Sequence, residues 1–397
     1  MDKLTVRDVD VSGQRVLVRV DFNVPIDITM GAITDDSRIR ATLPTIDYLV
    51  DHGARVILCS HLGRPGGRTD PRLSLSVVAD RLSEIMRQQV QFIPDCIGEE
   101  VEKTTAALEC GEIMLLENLR FHPGEERGDP KFARALARLG DIFVNDAFGT
   151  CHREHASIVG ITKYLKSVSG LLLEKEINSL GSVLESPPRP FAVLLGGAKV
   201  SDKVGMIDNI MDKVDYIMIG GSMAATFLKA KGYQVGLSLV EDGLDTARDV
   251  MQKAVKNSVN IILPEDVIVT RTISNRARVC NVSVESIPRD KRIVDIGTWT
   301  ITNFTRQFER CRTIFWNGPM GIYEIPKFAE GTRAMAKIIS SVNATPIVGG
   351  GSTAETVTEM KLAEKMTFVS TGGGASLRFL GGESLPGVEA LADKEPA

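Results

Sequence analysis

The chain has 397 residues, 43% of them hydrophobic and 25% charged, and a formal net charge of −4. This length is enough for two globular domains, each with its own core. The small negative charge gives no general attraction to nucleic acid or to an acidic membrane, so we expect neither as a partner.

Two further features bear on the compartment. Residues 1–5 lack the apolar stretch of a signal peptide, and no apolar run approaches the roughly 20 residues that cross a bilayer. The six cysteines are scattered without a CxxC pair, which predicts reduced thiols, mostly in the core, rather than disulfides or a zinc site. We therefore expect a cytoplasmic protein.

Short runs rich in Val, Ile and Leu alternate with amphipathic stretches, which predicts βαβ units and a mostly parallel sheet. The predicted strands of the first half are 16–20, 55–59, 91–93, 113–116 and 142–145. The predicted helices between them are 38–52, 75–88, 99–109 and 131–139.

Polar side chains follow these strands where each one ends. They are, in chain order, Asp21-Phe22-Asn23, His61-Leu62-Gly63-Arg64, Asn118-Leu119-Arg120 and His152-Arg153. Ligands of open parallel sheets bind at the carboxyl ends of strands, and the planar fork of Arg suits phosphate oxygens. The pattern predicts a pocket for a small, highly charged anion, although each motif alone also fits a turn or a solvated surface.

Arg38 and Arg40 begin a predicted helix, where a positive charge opposes the helix dipole. A bound anion would offset this charge, so Arg38 is a candidate contact; a solvated helix face remains the alternative. His152 and His155 have a spacing that could hold a metal, but no pattern of Cys or carboxylate partners supports one.

The segment 171–186 predicts one amphipathic helix, which the prolines at 187 and 188 stop. We place the domain boundary along it, with a first domain of residues 1–170 and a second of residues 171–380. The tail, 381–397, is too short and its structural pattern too weak to form a domain of its own, and we expect it to pack back on the first domain. The predicted strands of the second half are 191–195, 215–219, 260–263, 267–269, 313–316, 345–348 and 367–370.

Glycines, rather than basic side chains, follow the strands of the second half. They are Gly196-Gly197, Gly220-Gly221, Gly349-Gly350-Gly351 and Gly372-Gly373-Gly374. Unhindered amides at helix starts, with Lys199 and Lys203 in reach, predict phosphate binding by backbone, although the segment is no ordinary P-loop. Turns alone are the alternative reading. Asn317 and Glu324 lie in or near a rigid Pro-Gly turn that would suit a nucleoside.

Two phosphate sites on one chain suggest transfer between them. A non-catalytic two-lobed protein that binds an anion or a nucleotide is one alternative. A dinucleotide-dependent oxidoreductase is another, disfavoured because no GxGxxG opens a βαβ unit with an acidic residue about 20 positions further on.

Seven motifs in chain order resemble those of the phosphoglycerate kinase family, and the match covers essentially the whole chain. They are Asp21-Phe22-Asn23-Val24-Pro25, Ser60-His61-Leu62-Gly63-Arg64-Pro65, Glu117-Asn118-Leu119-Arg120-Phe121, Asn145-Asp146-Ala147-Phe148-Gly149, Leu195-Gly196-Gly197-Ala198-Lys199-Val200, Trp316-Asn317-Gly318-Pro319 and Ser370-Thr371-Gly372-Gly373-Gly374-Ala375. The resemblance implies two doubly wound, Rossmann-like domains joined by a helix and hinge. It implies a reversible glycolytic reaction of 1,3-bisphosphoglycerate and ADP, with Mg²⁺, that gives 3-phosphoglycerate and ATP. We expect a monomer.

The resemblance also assigns residues. The acid-phosphate substrate would be held by Asp21, Phe22, Asn23, Arg38, His61, Leu62, Gly63, Arg64, Arg120 and Arg153. The nucleotide would be held by Lys199, Lys203, Gly220, Asn317, Glu324, Gly350, Gly351, Ser352 and Thr353. The moving phosphoryl group would face Arg38, Lys199, Lys203, Gly372, Gly373 and Gly374.

Three positions depart from the family's pattern. The family usually has Asp where this chain has Ser352, and that Asp reaches the magnesium of the nucleotide; a hydroxyl is a much weaker ligand. Ser222 stands where a third glycine is common, and Thr298-Trp299 stands where Pro-Lys is usual. The acceptor is a carboxylate with a pKa near 4, already ionised at neutral pH, so no general base is required.

Overall fold

The computed structural model describes residues 3–27, 31–242 and 244–394. The chain forms two compact units, one of Met1–Asn178 with Ser384–Ala397 and one of Ser179–Glu383. The division falls inside the helix Leu171–Glu185.

The first unit is built on a six-stranded parallel sheet and a short antiparallel hairpin. Its strands are β1 (Arg15–Arg19), β2 (Ile26–Asp27), β3 (Ala32–Ile33), β4 (Arg55–Cys59), β5 (Val90–Ile93), β6 (Ile113–Leu116), β7 (Ile142–Asn145) and β8 (Lys166–Ser169). The sheet has the order β5-β6-β4-β1-β7-β8, with every neighbouring pair parallel, and β2 and β3 form the hairpin.

Helices cover both faces of this sheet. They are α1 (Ser37–Asp51), α2 (Ser76–Met86), α3 (Glu99–Ala106), α4 (Pro123–Glu126), α5 (Pro130–Ala137) and α6 (Leu171–Glu185). Val18 of β1 lies in one core cluster with Leu49 of α1, whereas its neighbour Leu17 lies in another with Leu136 of α5. Because successive strand residues point to opposite faces, these two cores lie on the two sides of the sheet.

The second unit repeats this plan and adds an antiparallel sheet. Its strands are β9 (Phe191–Leu195), β10 (Tyr216–Ile219), β11 (Asn260–Ile262), β12 (Asp266–Thr270), β13 (Cys280–Ser283), β14 (Arg292–Ile296), β15 (Thr313–Asn317), β16 (Thr345–Gly349) and β17 (Phe368–Val369). The parallel sheet has the order β11-β10-β9-β15-β16-β17, and the antiparallel one β13-β12-β14. All five residues of β9 and of β15 are buried, as expected of a parallel sheet covered on both faces.

The helices of the second unit are α7 (Val204–Ile210), α8 (Met223–Ala230), α9 (Asp245–Lys256), α10 (Thr298–Phe308), α11 (Glu330–Ile339), α12 (Gly351–Glu359) and α13 (Gly374–Leu380). Phe304 of α10 and Met335 of α11 share a buried core with Trp316 of β15. The predicted class of two doubly wound α/β domains is confirmed. Across the described residues, no helix is both long and apolar enough to span a membrane.

The carboxyl-terminal segment belongs to the first unit. It contains α14 (Pro386–Glu389) and runs beside the amino-terminal residues. The amide of Leu4 donates to the carbonyl of Ala392 at 2.8 Å, and the amide of Ala392 donates to Ser167 at 3.0 Å. These contacts tie residues from both ends of the chain to the edge strand β8.

Candidate active site

The loops after β1, β4 and β6 bring three predicted side chains to one edge of the first sheet. Asp21 follows β1, His61 follows β4, and Arg120 lies in the 3-10 helix Leu119–Phe121 that follows β6. These residues are only 8%, 4% and 3% exposed, respectively. Charged groups buried this deeply need partners, and the partners define the pocket.

Asp21 holds Arg38 in the first turn of α1. The guanidinium of Arg38 donates to Oδ2 of Asp21, and Nδ1 of His61 lies 3.8 Å from Oδ1 of the same carboxylate. Arg40 likewise donates to Asp36 at 2.9 Å. The chain itself therefore offsets part of the positive charge at the start of α1, which the sequence alone attributed to a bound anion.

His61 is a neutral imidazole with a defined tautomer. Arg19 donates to its Nδ1 at 3.1 Å, and because a guanidinium can only donate, the ring proton lies on Nε2. Burial holds the pKa of His61 well below its usual range, and the charges of Arg19, Arg120, Arg38 and Arg153 lower it further. Four guanidinium groups therefore act together on one buried side chain.

Asn23 and Arg120 both fix the loop at Gly63. The side-chain oxygen of Asn23 accepts from the amide of Gly63 at 2.8 Å, and Arg120 donates to the carbonyl of Gly63 at 2.7 Å. The preceding residue, Leu62, exchanges two hydrogen bonds with the buried side chain of Asn118, at 3.2 and 2.8 Å. Two of the predicted substrate residues thus also shape the pocket.

The other predicted residues of this unit differ in exposure. Phe22 is fully buried in the core beside β1. Arg153 is partly buried, and its Nε has no hydrogen-bond partner among the described residues. Arg64 is exposed, and within the described part of the chain no contact joins it to the cluster. The structure therefore brings Arg153 to the pocket but leaves Arg64 in solvent.

In the second unit the paired glycines serve mainly to pack three loops together. The amides of Gly196 and Gly197 donate to the carbonyls of Asn317 and Pro319, each at 2.9 Å. A Cβ at Gly196 would lie 2.1 Å from the oxygen of Pro319, and one at Gly220 would lie 2.4 Å from Sδ of Met320. Gly220 is thus required by close packing, whether or not a ligand approaches it.

Two amides in the loop that carries the two lysines are already bonded to another part of the chain. The amides of Val200 and Ser201 donate to the carboxylate of Glu241, at 2.8 and 3.2 Å. A side chain distant in sequence therefore occupies these two donors, and they are not available to a phosphate. The lysines remain: Lys199 is exposed, whereas Lys203 is 7% exposed and burial lowers its pKa.

The two triple-glycine loops differ from the paired glycines. Gly350 and Gly373 have positive φ angles of 91° and 51°, which favour glycine. Gly351 and Gly374, the first residues of α12 and α13, have no positive φ, and a Cβ there would meet nothing within 4 Å. Neither conformation nor packing requires glycine at these two positions, so the backbone is open to a molecule from outside the chain.

Asn317 has an amide nitrogen without a hydrogen-bond partner in the described part of the chain, beside these loops. The residue ends β15 and is 3% exposed, and this nitrogen, Nδ2, is buried. A side chain at Gly350 would lie 3.1 Å from this nitrogen and cover it. The hydroxyl of the neighbouring Thr353 accepts from the amide of Gly318 at 2.8 Å.

The residues around Ser352 do not fit direct coordination of a metal by that side chain. Its hydroxyl forms a hydrogen bond with the phenol of Tyr323, which also donates to Glu355 at 3.4 Å. Mg²⁺ prefers carboxylates, waters and phosphate oxygens, and a hydroxyl already bound to a phenol is a poor substitute. Glu324 is exposed in the adjacent turn.

Comparison with known proteins identifies the family. The family model described as Phosphoglycerate kinase matches residues 6–383. The chain belongs to the phosphoglycerate kinase family. The phosphoglycerate kinase of Pelotomaculum thermopropionicum is 51% identical over 395 residues, covering 99% of this chain and 100% of that protein. That of Dictyoglomus turgidum is 52% identical over 393 residues, or 98% of each chain.

Solved structures of phosphoglycerate kinases have the same fold. The enzyme from Coxiella burnetii superposes with a TM-score of 0.84 at 39% identity, and the one from Pyrococcus horikoshii with 0.88 at 32%; each comparison covers 98% of both chains. The chain is accordingly an enzyme, a glycolytic kinase that transfers a phosphoryl group between 1,3-bisphosphoglycerate and ADP. The comparisons do not support the alternative of a catalytically weakened binding protein.

Sequence reasoning missed a buried network beneath the phosphoglycerate kinase pocket. Nε of Arg19 donates to Ser157 at 2.9 Å, and Ser157 donates to the fully buried carboxylate of Glu125 at 2.6 Å. Burial acts to raise the pKa of Glu125, but its contacts with His155, Arg19 and Ser157 bring it below the ordinary value. The available signal was a second charge, Arg19, that ends a strand whose three central residues are apolar.

Proposed function

We propose that the cluster around His61 holds the acid-phosphate substrate and that the loops after β15, β16 and β17 hold the nucleotide. The observation that carries the proposal is the neutral, buried His61 on which four guanidinium groups act. Such a concentration of positive charge is costly to bury unless an anion completes it.

The substrate pocket contains hydrogen-bond donors that no acceptor of the described chain satisfies. The carboxylate of Asp21 faces Arg38 and His61, and that of Glu126 lies 3.2 Å from Nε of Arg120, whereas Nε of Arg153 is buried without a hydrogen-bond partner among the described residues. Burial lowers the pKa of Arg120, a sign that its charge is poorly solvated. A phosphate with a carboxylate or acyl phosphate supplies the oxygens that these groups lack, and the Nε2–H of His61 donates one further hydrogen bond.

For the nucleotide, the proposal uses backbone and amide donors. The unhindered backbone at Gly351 and Gly374 admits phosphate oxygens, and Nδ2 of Asn317, which has no partner in the described part of the chain, is a donor for the same ligand. Lys199 and Lys203 provide the positive charge, and we assign the exposed carboxylate of Glu324 to the ribose hydroxyls. Gly372 and Gly373 belong to the loop that faces the transferred group.

The transfer itself needs positioning and charge neutralisation rather than proton transfer. The 3-phosphoglycerate carboxylate is already ionised, and a neutral His61 is suited to donating a hydrogen bond rather than to acting as a base. Arg38 and Lys203 are assigned to stabilise the charge that spreads over the equatorial oxygens as the phosphoryl group moves in line.

Water must be excluded while this happens, because acyl phosphates and ATP hydrolyse. We expect the two units to close about α6 during the transfer. We also expect a cytoplasmic monomer that uses ADP or ATP with Mg²⁺. Bound Mg²⁺ would neutralise charge on the nucleotide phosphates; Ser352 does not fit its direct coordination, and no step here depends on it.

A coupled assay that records ATP formation from 1,3-bisphosphoglycerate and ADP, with and without Mg²⁺, tests the assignment. The key variant is Arg120→Ala, for which we expect a large rise in KM for the acid-phosphate substrate. Arg68→Ala is the matched control, because Arg68 is an exposed residue of the same unit. Equal kinetics for the two variants would contradict the assignment of the pocket.

A further inference from the structure

Three side chains that have no role in the proposed transfer lie together beyond the ends of β5 and β6. They are Asp95, Cys96 and His122. Their ligand atoms, a carboxylate oxygen, Sγ and an imidazole nitrogen, all lie within 4.8 Å of one another. Within residues 3–27, 31–242 and 244–394, no other group of three or more His, Cys, Asp or Glu meets this spacing.

The protein itself positions this cluster. Oδ1 of Asp95 accepts from the backbone amide of Cys96 and interacts with Nε2 of His122, both at 2.7 Å. His122 ends the 3-10 helix Leu119–Phe121, and its amide donates to the carbonyl of Leu119 at 3.2 Å. The three ligand atoms are therefore held by loops at the edge of a rigid sheet, which favours a defined geometry.

The thiol of Cys96 is the distinctive member. It is fully buried, and among the described residues its sulfur has no hydrogen-bond partner. The buried thiols of Cys151 and Cys311, by contrast, donate to the backbone carbonyls of Ala147 and Gln307, at 3.5 and 3.1 Å. The sulfur of Cys96 thus faces the other two ligands with its bonding capacity unused.

The charges around this thiol are negative. The carboxylates of Asp95, Glu125 and Glu117 lie close enough to act on its sulfur. Asp95 and His122 connect the buried sulfur to solvent, with side chains that are 52% and 31% exposed. A cation can enter from the solvent side, where the negative charge of these carboxylates would attract it.

We propose that Asp95, Cys96 and His122 form a site for a thiophilic divalent cation, with Zn²⁺ as the best match. Zn²⁺ binds sulfur at about 2.3 Å and nitrogen or oxygen at about 2.0–2.2 Å, so tetrahedral ligand atoms lie roughly 3.4–3.6 Å apart. Closing from 4.8 Å needs a movement of about 1 Å, which the partly exposed side chains of Asp95 and His122 can make.

Binding involves no change of oxidation state. The thiol of Cys96 releases its proton to solvent. The proton on Nε2 of His122 moves to solvent or to Nδ1 of the same ring. A water molecule takes the fourth position on the cation. The sulfur ligand selects against Mg²⁺, which prefers oxygen, so this site differs from any that accompanies the nucleotide. The cation would join the loop after β5 to the segment that carries Arg120.

The test is a titration of the full-length, chelator-treated protein with Co²⁺, a spectroscopic substitute for Zn²⁺. We expect one Co²⁺ per chain and a sulfur-to-cobalt charge-transfer band in the near ultraviolet, displaced by Zn²⁺ but not by Mg²⁺. Cys96→Ser should abolish the band, and His122→Gln should weaken binding at least tenfold. Cys110→Ser, which changes an exposed cysteine of the same unit, is the control and should match the unchanged protein.

Two outcomes would overturn the proposal: no charge-transfer band in the unchanged protein, or a band that persists in Cys96→Ser. If Cys96→Ser fails to fold, Asp95→Asn and His122→Gln decide, because both change partly exposed side chains. Zn²⁺ should raise the melting temperature of the unchanged protein but not of Asp95→Asn. If these two variants bind Co²⁺ as tightly as the unchanged protein does, the three side chains do not bind the cation and only join the loops by hydrogen bonds.

Discussion

Arg19 donates a hydrogen bond to Nδ1 of His61 at 3.1 Å. A residue of β1 therefore fixes the tautomer of a side chain in the loop after β4, the neighbouring strand of the sheet. Arg19 is fully buried and also donates to Ser157 at 2.9 Å. A guanidinium group that has no contact with solvent therefore holds His61 in the pocket of this kinase. This arrangement leaves Nε2–H of His61 as the ring's hydrogen-bond donor.

We predict that His61 does not titrate near neutral pH. A free imidazole has a pKa of about 6.5, and burial with four neighbouring guanidinium groups lowers that of His61 well below this range. The NMR resonances of its ring, assigned with His61→Gln, should stay constant from about pH 6 to 8. The exposed His52 serves as the internal comparison. A midpoint for His61 near 6.5 would contradict the neutral assignment.

Arg38→Ala should reduce turnover about 100-fold or more while changing nucleotide affinity little, because charge on the phosphoryl group develops mainly in the transition state. Steady-state kinetics and calorimetric titration with ADP measure the two quantities. The matched control is Arg40→Ala, two residues further along the same helix, whose side chain bonds to Asp36. Near-normal turnover in Arg38→Ala would remove this residue from the mechanism.

Gly374→Ala should impair turnover without destabilising the fold. Its Cβ would meet nothing within 4 Å of the chain and the backbone needs no positive φ, so we expect a stability change within about 0.5 kcal/mol. The control is Gly205→Ala, an equally unhindered position in α7. If Gly374→Ala turns over as fast as Gly205→Ala, the open backbone at Gly374 faces no reacting group.

Ser352→Asp should lower the Mg²⁺ concentration needed for tight ADP binding, because a carboxylate is a far better ligand than a hydroxyl. The measurement is ADP affinity by calorimetry over a series of Mg²⁺ concentrations. Ser352→Asn is the neutral control of the same size as Asp. A titration that is the same for Ser352, Asn and Asp would place the metal away from this position.

The sequence predicted the parallel sheets, and the position of Asp21 and His61 at one sheet edge, because both follow from local patterns. Polar residues after apolar runs, such as Asp21 and His61, must lie at the same sheet edge once the strands are parallel. Contacts between distant segments leave no such pattern. Glu241 occupies the amides of Val200 and Ser201 across about 40 residues, and nothing local to either segment indicates it.

Other features were missed because their local signal is weak or shared. Strand β8 has only one apolar residue, Val168, and β2 and β3 are two residues long, so no periodicity marks them. Glycines that pack loops and glycines that leave space look identical in sequence. Only the surroundings distinguish them: a Cβ at Gly196 would collide with the neighbouring loop, whereas a Cβ at Gly374 would meet no other atom of the chain within 4 Å.

Asp295 should make stability depend on pH in the second unit. Burial raises its pKa to about 7, against 3.8 for the unperturbed group, although the amides of Ile296 and Gly331 donate to it at 2.9 and 2.7 Å. Because the folded state binds this proton more tightly, the contribution to stability is fully present below about pH 4. It is lost as the pH rises through about 7, with a slope of at most about 1.4 kcal/mol per pH unit.

Asp295→Asn removes this titration, since the amide is neutral at every pH. The buried carboxyl of Asp146, with a pKa of about 6, acts in the same direction in both proteins and therefore cancels in the comparison. Calorimetric melting temperatures between about pH 5 and 8 should rise for Asp295→Asn relative to the unchanged protein as the pH increases. Asp242→Asn, at an exposed position, should give a constant difference. A constant difference for Asp295→Asn as well would mean that Asp295 is ionised in the folded protein throughout this range.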